Sequence, residues 1–306
     1  MKFNISYKSK LQEELSYLFS FFPSELTMKI NEVLFKNQYK RINEIRIKKN
    51  SLLHLIADSK SVVTDIYISE ETVEEIFLSL CRGSIYAHAD TIKEGYISLG
   101  RGIRAGICGT AVTENNVLVG VRDVSSINIR IPQIIPWASN YVYSLLEKSN
   151  FSASILIFSP PGAGKTTILR DLVNKLGAKS NKRYAVIDTR DEILISETKN
   201  SHCDAYISYP KGYAIELATK SMTPEIILCD EISNENEANA ILKASNSGVV
   251  LIATTHASTY DELISKKILK SIFDAKIFKY FVGVNRKNGE KKYNFTLNEE
   301  KYEALL

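Results

Sequence analysis

A glycine-rich loop between an apolar strand and a helix restricts the fold of this chain more than any other feature. The strand is SILIF (154–158), the loop is SPPGAGKTT (159–167), and the helix begins at Lys165. The spacing fits the P-loop pattern G-x-x-x-x-G-K-[ST], with Ser159 in place of the first glycine. Backbone N–H groups of such a loop, and the positive end of the helix dipole, face phosphate oxygens. The loop therefore predicts a nucleotide-binding α/β domain.

The whole loop is expected to contact the nucleotide. Lys165 is expected to reach the β- and γ-phosphates, and the Thr166 hydroxyl is expected to bind Mg²⁺. Glycines at 162 and 164 allow the backbone to approach the phosphates without a Cβ in the way. The predicted phosphate-binding set is Ser159, Pro160, Pro161, Gly162, Ala163, Gly164, Lys165, Thr166 and Thr167.

A second element, IILCDEI (226–232), is an apolar strand that ends in two adjacent acids, as in a Walker B strand. Asp230 is expected to hold Mg²⁺, directly or through a water, and Glu231 to act as the general base that polarises the attacking water. The pair fits P-loop ATPases that have an added strand between the P-loop strand and the Walker B strand. YAVID (184–188) is our candidate for that added strand.

Two sequence patterns that would indicate other nucleotide-binding proteins do not occur. Without an N-K-x-D stretch guanine selectivity has no support, and without an L-S-G-G-Q stretch an ABC transporter subunit is excluded. ATP with Mg²⁺ is therefore the expected cofactor.

Two more predicted strands end in polar residues, at the edge of the sheet that faces the nucleotide. DTRDEI (188–193) follows YAVID, and its acids, Glu192 among them, either order the water or metal or form an exposed charged loop. SGVVLIATTHA (247–257) contains His256, which is expected to hydrogen-bond the γ-phosphate and to report its hydrolysis. Catalytic candidates are therefore Lys165, Glu192, Glu231 and His256.

Length and element pattern predict two domains, since 306 residues suffice for about two. Residues 1–135 combine helices with a meander of short strands, whereas residues 136–306 alternate apolar strands with helices. Pro132 and Pro136 mark the boundary. The predicted class is α/β: a C-terminal RecA-like P-loop NTPase domain with a mainly parallel sheet, preceded by a smaller α+β domain.

Charge and hydropathy narrow the functional classes. The net charge of +4, from 39 Lys and Arg against 35 Asp and Glu, provides no basic footprint for nucleic acid. No apolar run approaches the roughly 18 residues of a membrane-spanning helix. Residues 1–15 lack the apolar segment of a signal peptide, so we expect a cytosolic protein.

These motifs together resemble the stage III sporulation protein AA family, which belongs to the type II/IV secretion ATPase superfamily. In the N-terminal part the resemblance lies in INEIRIKKN (42–50), SIYAHADTIKEGYISLGRGIRAGICG (84–109) and VRDVSSINIRI (121–131). In the C-terminal part it lies in SPPGAGKTT, VIDTRDEI, IILCDEI and SNSGVVLIATTHA. The last of these is similar to the superfamily's His box, and DTRDEI stands in place of its acidic box, with Glu192 aligned.

The resemblance implies an ATPase in the mother cell of endospore-forming bacteria that associates as a ring, expected to be hexameric. The ring would serve a channel between mother cell and forespore, at the cytosolic face of the membrane. Its expected partner is an inner-membrane protein of the same operon.

The resemblance also implies that arginines of the N-terminal domain reach the nucleotide of a neighbouring subunit. Arg104, Arg122 and Arg130 are the candidates, with Arg122 and Arg130 preferred; the alternative is that they pair with surface acids or simply keep a strand solvated. Two other functions stay open, a nucleic-acid-processing ATPase such as a helicase loader and a nucleotide-binding scaffold without activity. The lysines and arginines between 266 and 292 could serve the first, although no aromatic stacking platform accompanies them.

Overall fold

Two β-sheets, one in each half of the chain, organise the protein. The structure is a computed structural model and describes residues 15–39, 41–58, 60–115, 117–133, 135–194, 202–285 and 294–299. The chain divides into two compact units, Met1–Gln133 and Ile134–Leu306. Among the described residues, no helix is both long and apolar enough to cross a bilayer.

The first unit contains a six-stranded antiparallel sheet in the order β3-β2-β1-β6-β5-β4. Buried residues alternate with half-buried ones along β2 and with exposed ones in the second half of β3, as expected of a sheet with one covered face. Its elements are α1 (Ser24–Lys36), β1 (Ile42–Lys48), β2 (Ser51–Ala57), β3 (Lys60–Ile68), α2 (Glu70–Leu80), a 3₁₀ turn (Ile85–His88), α3 (Ala89–Lys93), β4 (Tyr96–Gly100), β5 (Ile103–Glu114) and β6 (Val117–Arg130).

Strands β5 and β6 extend beyond their neighbours as a two-stranded ribbon. Strand β1 pairs with β6 only at residues 126–130, and β4 pairs with β5 only at residues 103–106. Gly109 lies in this ribbon at an irregularity in the strand pairing. A Cβ at Gly109 would lie 2.7 Å from the carbonyl oxygen of Arg122 and 2.8 Å from Cγ1 of Val121. The two strands can therefore approach each other here only with glycine.

The second unit contains a seven-stranded sheet in the order β13-β12-β7-β11-β10-β8-β9. All neighbouring strands are parallel except β12 and β13. Its elements are α4 (Asn140–Lys148), β7 (Ser154–Ser159), α5 (Lys165–Lys179), β8 (Tyr184–Asp188), β9 (Cys203–Ile207), α6 (Lys211–Leu217), a π-helical turn (Ala218–Met222), β10 (Ile226–Glu231), α7 (Glu235–Asn246), β11 (Val250–His256), α8 (Tyr260–Ser265), a 3₁₀ turn (Lys267–Leu269), α9 (Lys270–Asp274), β12 (Phe278–Asn285) and β13 (Asn294–Glu299).

The sheet of the second unit is buried on both faces. Residues of β7 alternate between two apolar layers: Ile155 and Ile157 pack with Leu172 of α5, and Leu156 packs with Ile241 of α7. This burial explains the continuous apolar strands, which are typical of parallel sheets covered by helices. The predicted α/β class is confirmed.

The position of YAVID is a correction to the sequence prediction. The strand between the P-loop strand β7 and the Walker B strand β10 is β11, which comes last of the three in the chain. YAVID forms β8, on the far side of β10. Apolar composition shows that a strand is buried, but the helical crossovers between parallel strands decide its place in the sheet.

We predict that Gly109→Ala destabilises the protein, because the new Cβ meets backbone atoms of the facing strand. The expected loss is about 1–3 kcal/mol in the free energy of unfolding, measured by urea denaturation. Gly120→Ala is the control: Gly120 lies on the facing strand of the same ribbon and has nothing within 4 Å of a new Cβ. That variant should stay within about 0.5 kcal/mol of the native protein. Equal losses in the two variants would contradict the prediction.

Candidate functional site

The P-loop connects β7 to α5 through two residues with left-handed backbone conformations. Gly162 has φ +76° and Gly164 has φ +102°, and Gly164 precedes the first residue of α5. Residues with a side chain rarely adopt such angles, which explains glycine at both positions. Ser159, which replaces the pattern's first glycine, is the last residue of β7 and does not have a positive φ. Serine therefore fits there without strain.

The Lys165 ammonium lies against the start of the loop. Its Nζ donates to the carbonyl oxygen of Ser159 at 2.9 Å, to Oγ of Ser159 at 3.0 Å and to the carbonyl oxygen of Pro160 at 3.3 Å. Burial lowers the pKa of Lys165 to about 8, although the nearby Glu231 acts in the opposite direction. Of the other loop residues, Ala163 is buried, Pro160, Pro161 and Gly162 are exposed, and Thr166 and Thr167 are half-buried.

His256 connects Lys165 to Glu231. Its Nδ1 lies 2.8 Å from Nζ of Lys165, and its Nε2 lies 2.9 Å from Oε2 of Glu231. A neutral ring with its proton on Nε2 satisfies both contacts, because Nδ1 then accepts from the ammonium and Nε2 donates to the carboxylate. The structure thus brings together three residues that the sequence placed on separate elements.

Strand pairing explains how these three side chains meet. Strand β11 lies between β7 and β10, with His256 opposite Ser159 on one side and Thr254 opposite Glu231 on the other. The end of β11 therefore places an imidazole between the P-loop and the Walker B acids.

Asp230 lies at the end of β10 with two donors on one carboxylate oxygen. Nζ of Lys211 lies 2.6 Å from Oδ1 of Asp230, and the Thr189 hydroxyl donates to the same oxygen at 3.3 Å. Burial raises the pKa of Asp230, and the Lys211 charge opposes that shift. A buried carboxylate of this kind needs a cation nearby to stay ionised.

Lys211 is a site residue that the sequence reasoning missed. It is the first residue of α6, only 6% of it is exposed, and its ammonium also contacts Glu237 at 3.5 Å and the main-chain oxygen of Glu231. Burial acts to lower the pKa of Lys211, but Asp230, Cys229 and Glu237 together outweigh it, so the pKa is raised. One signal was available: a lysine at a helix start opposes the helix dipole.

Asp188 has a different role from its neighbours in DTRDEI. Its carboxylate is fully buried and accepts the N–H groups of Glu192 and Ile193 at 2.8 Å and of Leu194 at 3.0 Å. It therefore fixes the turn after β8. The main-chain oxygen of Glu192 accepts a hydrogen bond from Nε of Arg170. Glu192 is half-buried. The catalytic role of Glu192 stays a prediction.

The predicted magnesium ligands are oxygen donors of the kind that Mg²⁺ prefers. Thr166 is the second residue of α5, and Asp230 is the next-to-last residue of β10. In the described part of the chain, no group of three or more His, Cys, Asp or Glu side chains could hold a metal ion. Mg²⁺ commonly uses one or two protein oxygens together with phosphate oxygens and waters. The donor set therefore fits Mg²⁺ bound with a nucleotide.

The two preferred arginines lie on β6 in the first unit. The Arg122 side chain is 69% exposed on the ribbon and forms an ion pair with Asp123 at 3.7 Å. Arg130 ends β6, is exposed, and lies opposite both Glu44 of β1 and Arg104 of β5. Their predicted role in a neighbouring subunit stays a prediction.

Comparison with known proteins identifies a family and relatives. A family model described as "Sporulation stage III, protein AA" matches residues 23–301. Stage III sporulation protein AA of Bacillus subtilis is 28% identical over 265 residues, which cover 83% of this chain and 86% of that protein. Protein SEEDLING PLASTID DEVELOPMENT 1 of Arabidopsis thaliana is 29% identical over 156 residues, which cover 48% of this chain and 22% of that protein.

Two solved structures have the same fold. The ATPase DotB of Legionella pneumophila has a TM-score of 0.60 at 15% identity, with 90% of this chain and 80% of that chain covered. The pilus retraction motor PilT, solved with bound ADP, has a TM-score of 0.60 at 14% identity, with 84% and 79% covered. At these identities the similarity concerns the fold, and it supports the RecA-like class.

We predict that nucleotide binding takes up protons at pH 8. With a pKa of about 8, half of the Lys165 side chains lack a proton at that pH. A bound phosphate favours the charged lysine and raises its pKa, so ADP binding should take up as much as half a proton. Calorimetry with ADP and EDTA, in two buffers of different ionisation enthalpy, measures this number. No uptake is expected near pH 6.5, where the lysine is already charged; its absence at pH 8 would contradict the prediction.

We predict different effects for two neighbouring acids. Asp188→Asn places an amide where three N–H groups need an acceptor, and should cost about 1–3 kcal/mol of folding free energy. Glu192→Gln keeps the main-chain contacts and should unfold like the native protein. Thermal denaturation of both variants makes the comparison, and an unchanged Asp188→Asn protein would show that the turn does not depend on this carboxylate.

Proposed function

We propose that this chain, which belongs to the stage III sporulation protein AA family, is a Mg²⁺-dependent ATPase motor of the secretion type. Residues 1–135 would form the N-terminal domain and residues 136–306 the motor domain. The main support is the contact sequence Lys165–His256–Glu231, which links the P-loop to the Walker B acids within hydrogen-bond distance.

Each residue of the site would have its own role in ATP hydrolysis. The loop Ser159–Thr167 would cradle the phosphates with its N–H groups, and Lys165 would neutralise charge on the β- and γ-phosphates. Thr166 and Asp230 would hold Mg²⁺, which would neutralise phosphate charge when bound. Glu231 would accept a proton from the attacking water, because its carboxylate lies at the open end of the sheet and is 28% exposed.

His256 would report the state of the phosphates. Its ring contacts both the lysine that would bind the γ-phosphate and the glutamate that would activate water. When Lys165 moves to a phosphate oxygen, Nδ1 of His256 loses its donor, and the ring can reorient Glu231. Glu192, on the loop after β8, would help to order the attacking water.

The family resemblance extends the proposal to an assembly. The chain would form a hexameric ring in the mother cell, at the cytosolic face of the membrane, with an inner-membrane protein of the sporulation channel as partner. Arg122 and Arg130 would reach the nucleotide of a neighbouring subunit. The 69% exposure of Arg122 supports this, because an exposed guanidinium can reach another chain at little desolvation cost.

Glu231→Gln tests the proposal. The variant should bind ATP, hydrolyse it about a hundredfold or more slowly, and accumulate as a hexamer with Mg·ATP. Steady-state hydrolysis and light scattering measure the two effects. Glu235→Gln is the matched control, since Glu235 lies four residues after Glu231, is the first residue of α7 and is exposed.

Two results would contradict the proposal. If the native protein releases no phosphate from Mg·ATP at any protein concentration or with membranes, the ATPase assignment fails. If Glu231→Gln stays monomeric under all those conditions, the ring fails, and salt-dependent binding to DNA would then support the nucleic-acid alternative.

A further inference from the structure

Lys211 lies at the centre of a buried group of charges, and neither the P-loop nor the Walker B motif includes this lysine. Its ammonium is 2.6 Å from Oδ1 of Asp230 and 3.5 Å from Oε2 of Glu237. The side chains of these residues are 5%, 18% and 12% exposed. The same ammonium donates to the main-chain oxygen of Glu231. One lysine thus contacts both acids of the Walker B strand.

The neighbours of this group hold its members in place. Glu237 lies in the first turn of α7, where its carboxylate accepts the N–H of Ser233 at 2.7 Å and both its oxygens lie 3.1 Å from the Ser233 hydroxyl. Lys211 begins α6, which packs against α7. The ammonium is therefore fixed from two helices, and its distance to Asp230 does not depend on a flexible surface side chain.

Stability alone is a weak explanation for such a group. A buried ion pair loses about as much in desolvation as it gains in attraction, and an apolar replacement is often as stable. What distinguishes this lysine is its target, since Asp230 is the predicted Mg²⁺ ligand. An ammonium in contact with that carboxylate repels a divalent cation and competes with it for the same oxygen.

We propose that Lys211 is a positioning residue of the ATPase site. Its ammonium is a built-in counter-ion that holds Asp230 and the main chain of Glu231. The same ammonium competes with a divalent cation for Asp230. This inference rests on the proposed function, because it gives Asp230 the role of metal ligand. Its consequence is that the site binds metal alone weakly and needs the phosphates of a nucleotide to complete it.

The test is a titration of the full-length, nucleotide-free protein with Mn²⁺, with free Mn²⁺ measured by electron paramagnetic resonance. Lys211→Met removes the competing charge and should bind Mn²⁺ about tenfold more tightly than the native protein. Lys211→Arg keeps a positive charge and should stay close to the native protein. Adding Asp230→Asn to Lys211→Met should abolish the gain. Equal affinities in Lys211→Met and the native protein would overturn the inference.

Lys175→Met is the matched control for loss of a buried lysine. Lys175 pairs with the buried Asp171 at 2.7 Å, and the same two side chains are 12% and 3% exposed. Asp171, unlike Asp230, is not a predicted metal ligand; it accepts hydrogen bonds from the N–H and the hydroxyl of Ser139, the residue before α4. Lys175→Met should therefore lose stability without a change in Mn²⁺ affinity. A gain equal to that of Lys211→Met would show a general effect of charge and overturn the inference.

A double variant covers the case in which Lys211→Met does not fold. Lys211→Met with Glu237→Gln removes one positive and one negative charge, so the net charge of the group is unchanged. Competition for Asp230 predicts Mn²⁺ affinity above that of the native protein, whereas native affinity would overturn the inference. The titration does not require hydrolysis. If the native protein hydrolyses ATP but these variants bind Mn²⁺ with the native affinity, the inference about Lys211 is wrong and the proposed ATPase function stands.

Discussion

The arrangement of the site depends on the insertion of β11 between β7 and β10. In that position, the last residue of β11 pairs with the last residue of β7, and Thr254 pairs with Glu231. His256 can then contact Lys165 with one ring nitrogen and Glu231 with the other. If β7 and β10 were neighbours, the lysine and the glutamate would have no imidazole between them.

Two buried lysines at helix starts give the site its electrostatic character. Lys165 begins α5 and Lys211 begins α6, and at both positions the helix dipole disfavours a cation. Their pKa values shift in opposite directions because their neighbours differ. Lys165 lies mainly against carbonyl oxygens and an imidazole, so burial dominates and lowers its pKa to about 8. Lys211 contacts two carboxylates, whose attraction outweighs burial and raises its pKa. One lysine is thus suited to receive an added anion, and the other already has its counter-ions.

The acidic residues around the candidate nucleotide site have different roles, which residue type alone does not distinguish. Asp188, Asp230, Glu231 and Glu237 are all acidic and all near strand ends or helix starts. In the structure, the Asp188 carboxylate accepts hydrogen bonds from the backbone of a turn, and the Glu237 carboxylate contacts Ser233 and Lys211. Of these four, only Asp230 and Glu231 are adjacent; they are the last two residues of β10, and that pair is visible in the sequence. The contacts of Asp188 with the turn and of Glu237 with Ser233 join residues close in the chain, whereas the contact of Glu237 with Lys211 joins two separate helices and no local pattern encodes it.

The sequence by itself determined the local structures of this protein and the residues of its principal motif. Strand, glycine loop and helix follow from composition and spacing, because positive φ at 162 and 164 requires glycine and continuous apolar runs require burial on both faces. Only the tertiary structure decided that β11 and not YAVID lies beside the P-loop strand. It also decided that Lys211, 19 residues before Asp230 in the chain, contacts that carboxylate. The physical reason is the same in both cases: the order of parallel strands and the contacts at their ends are set by the packing of crossover helices, which joins residues far apart in sequence.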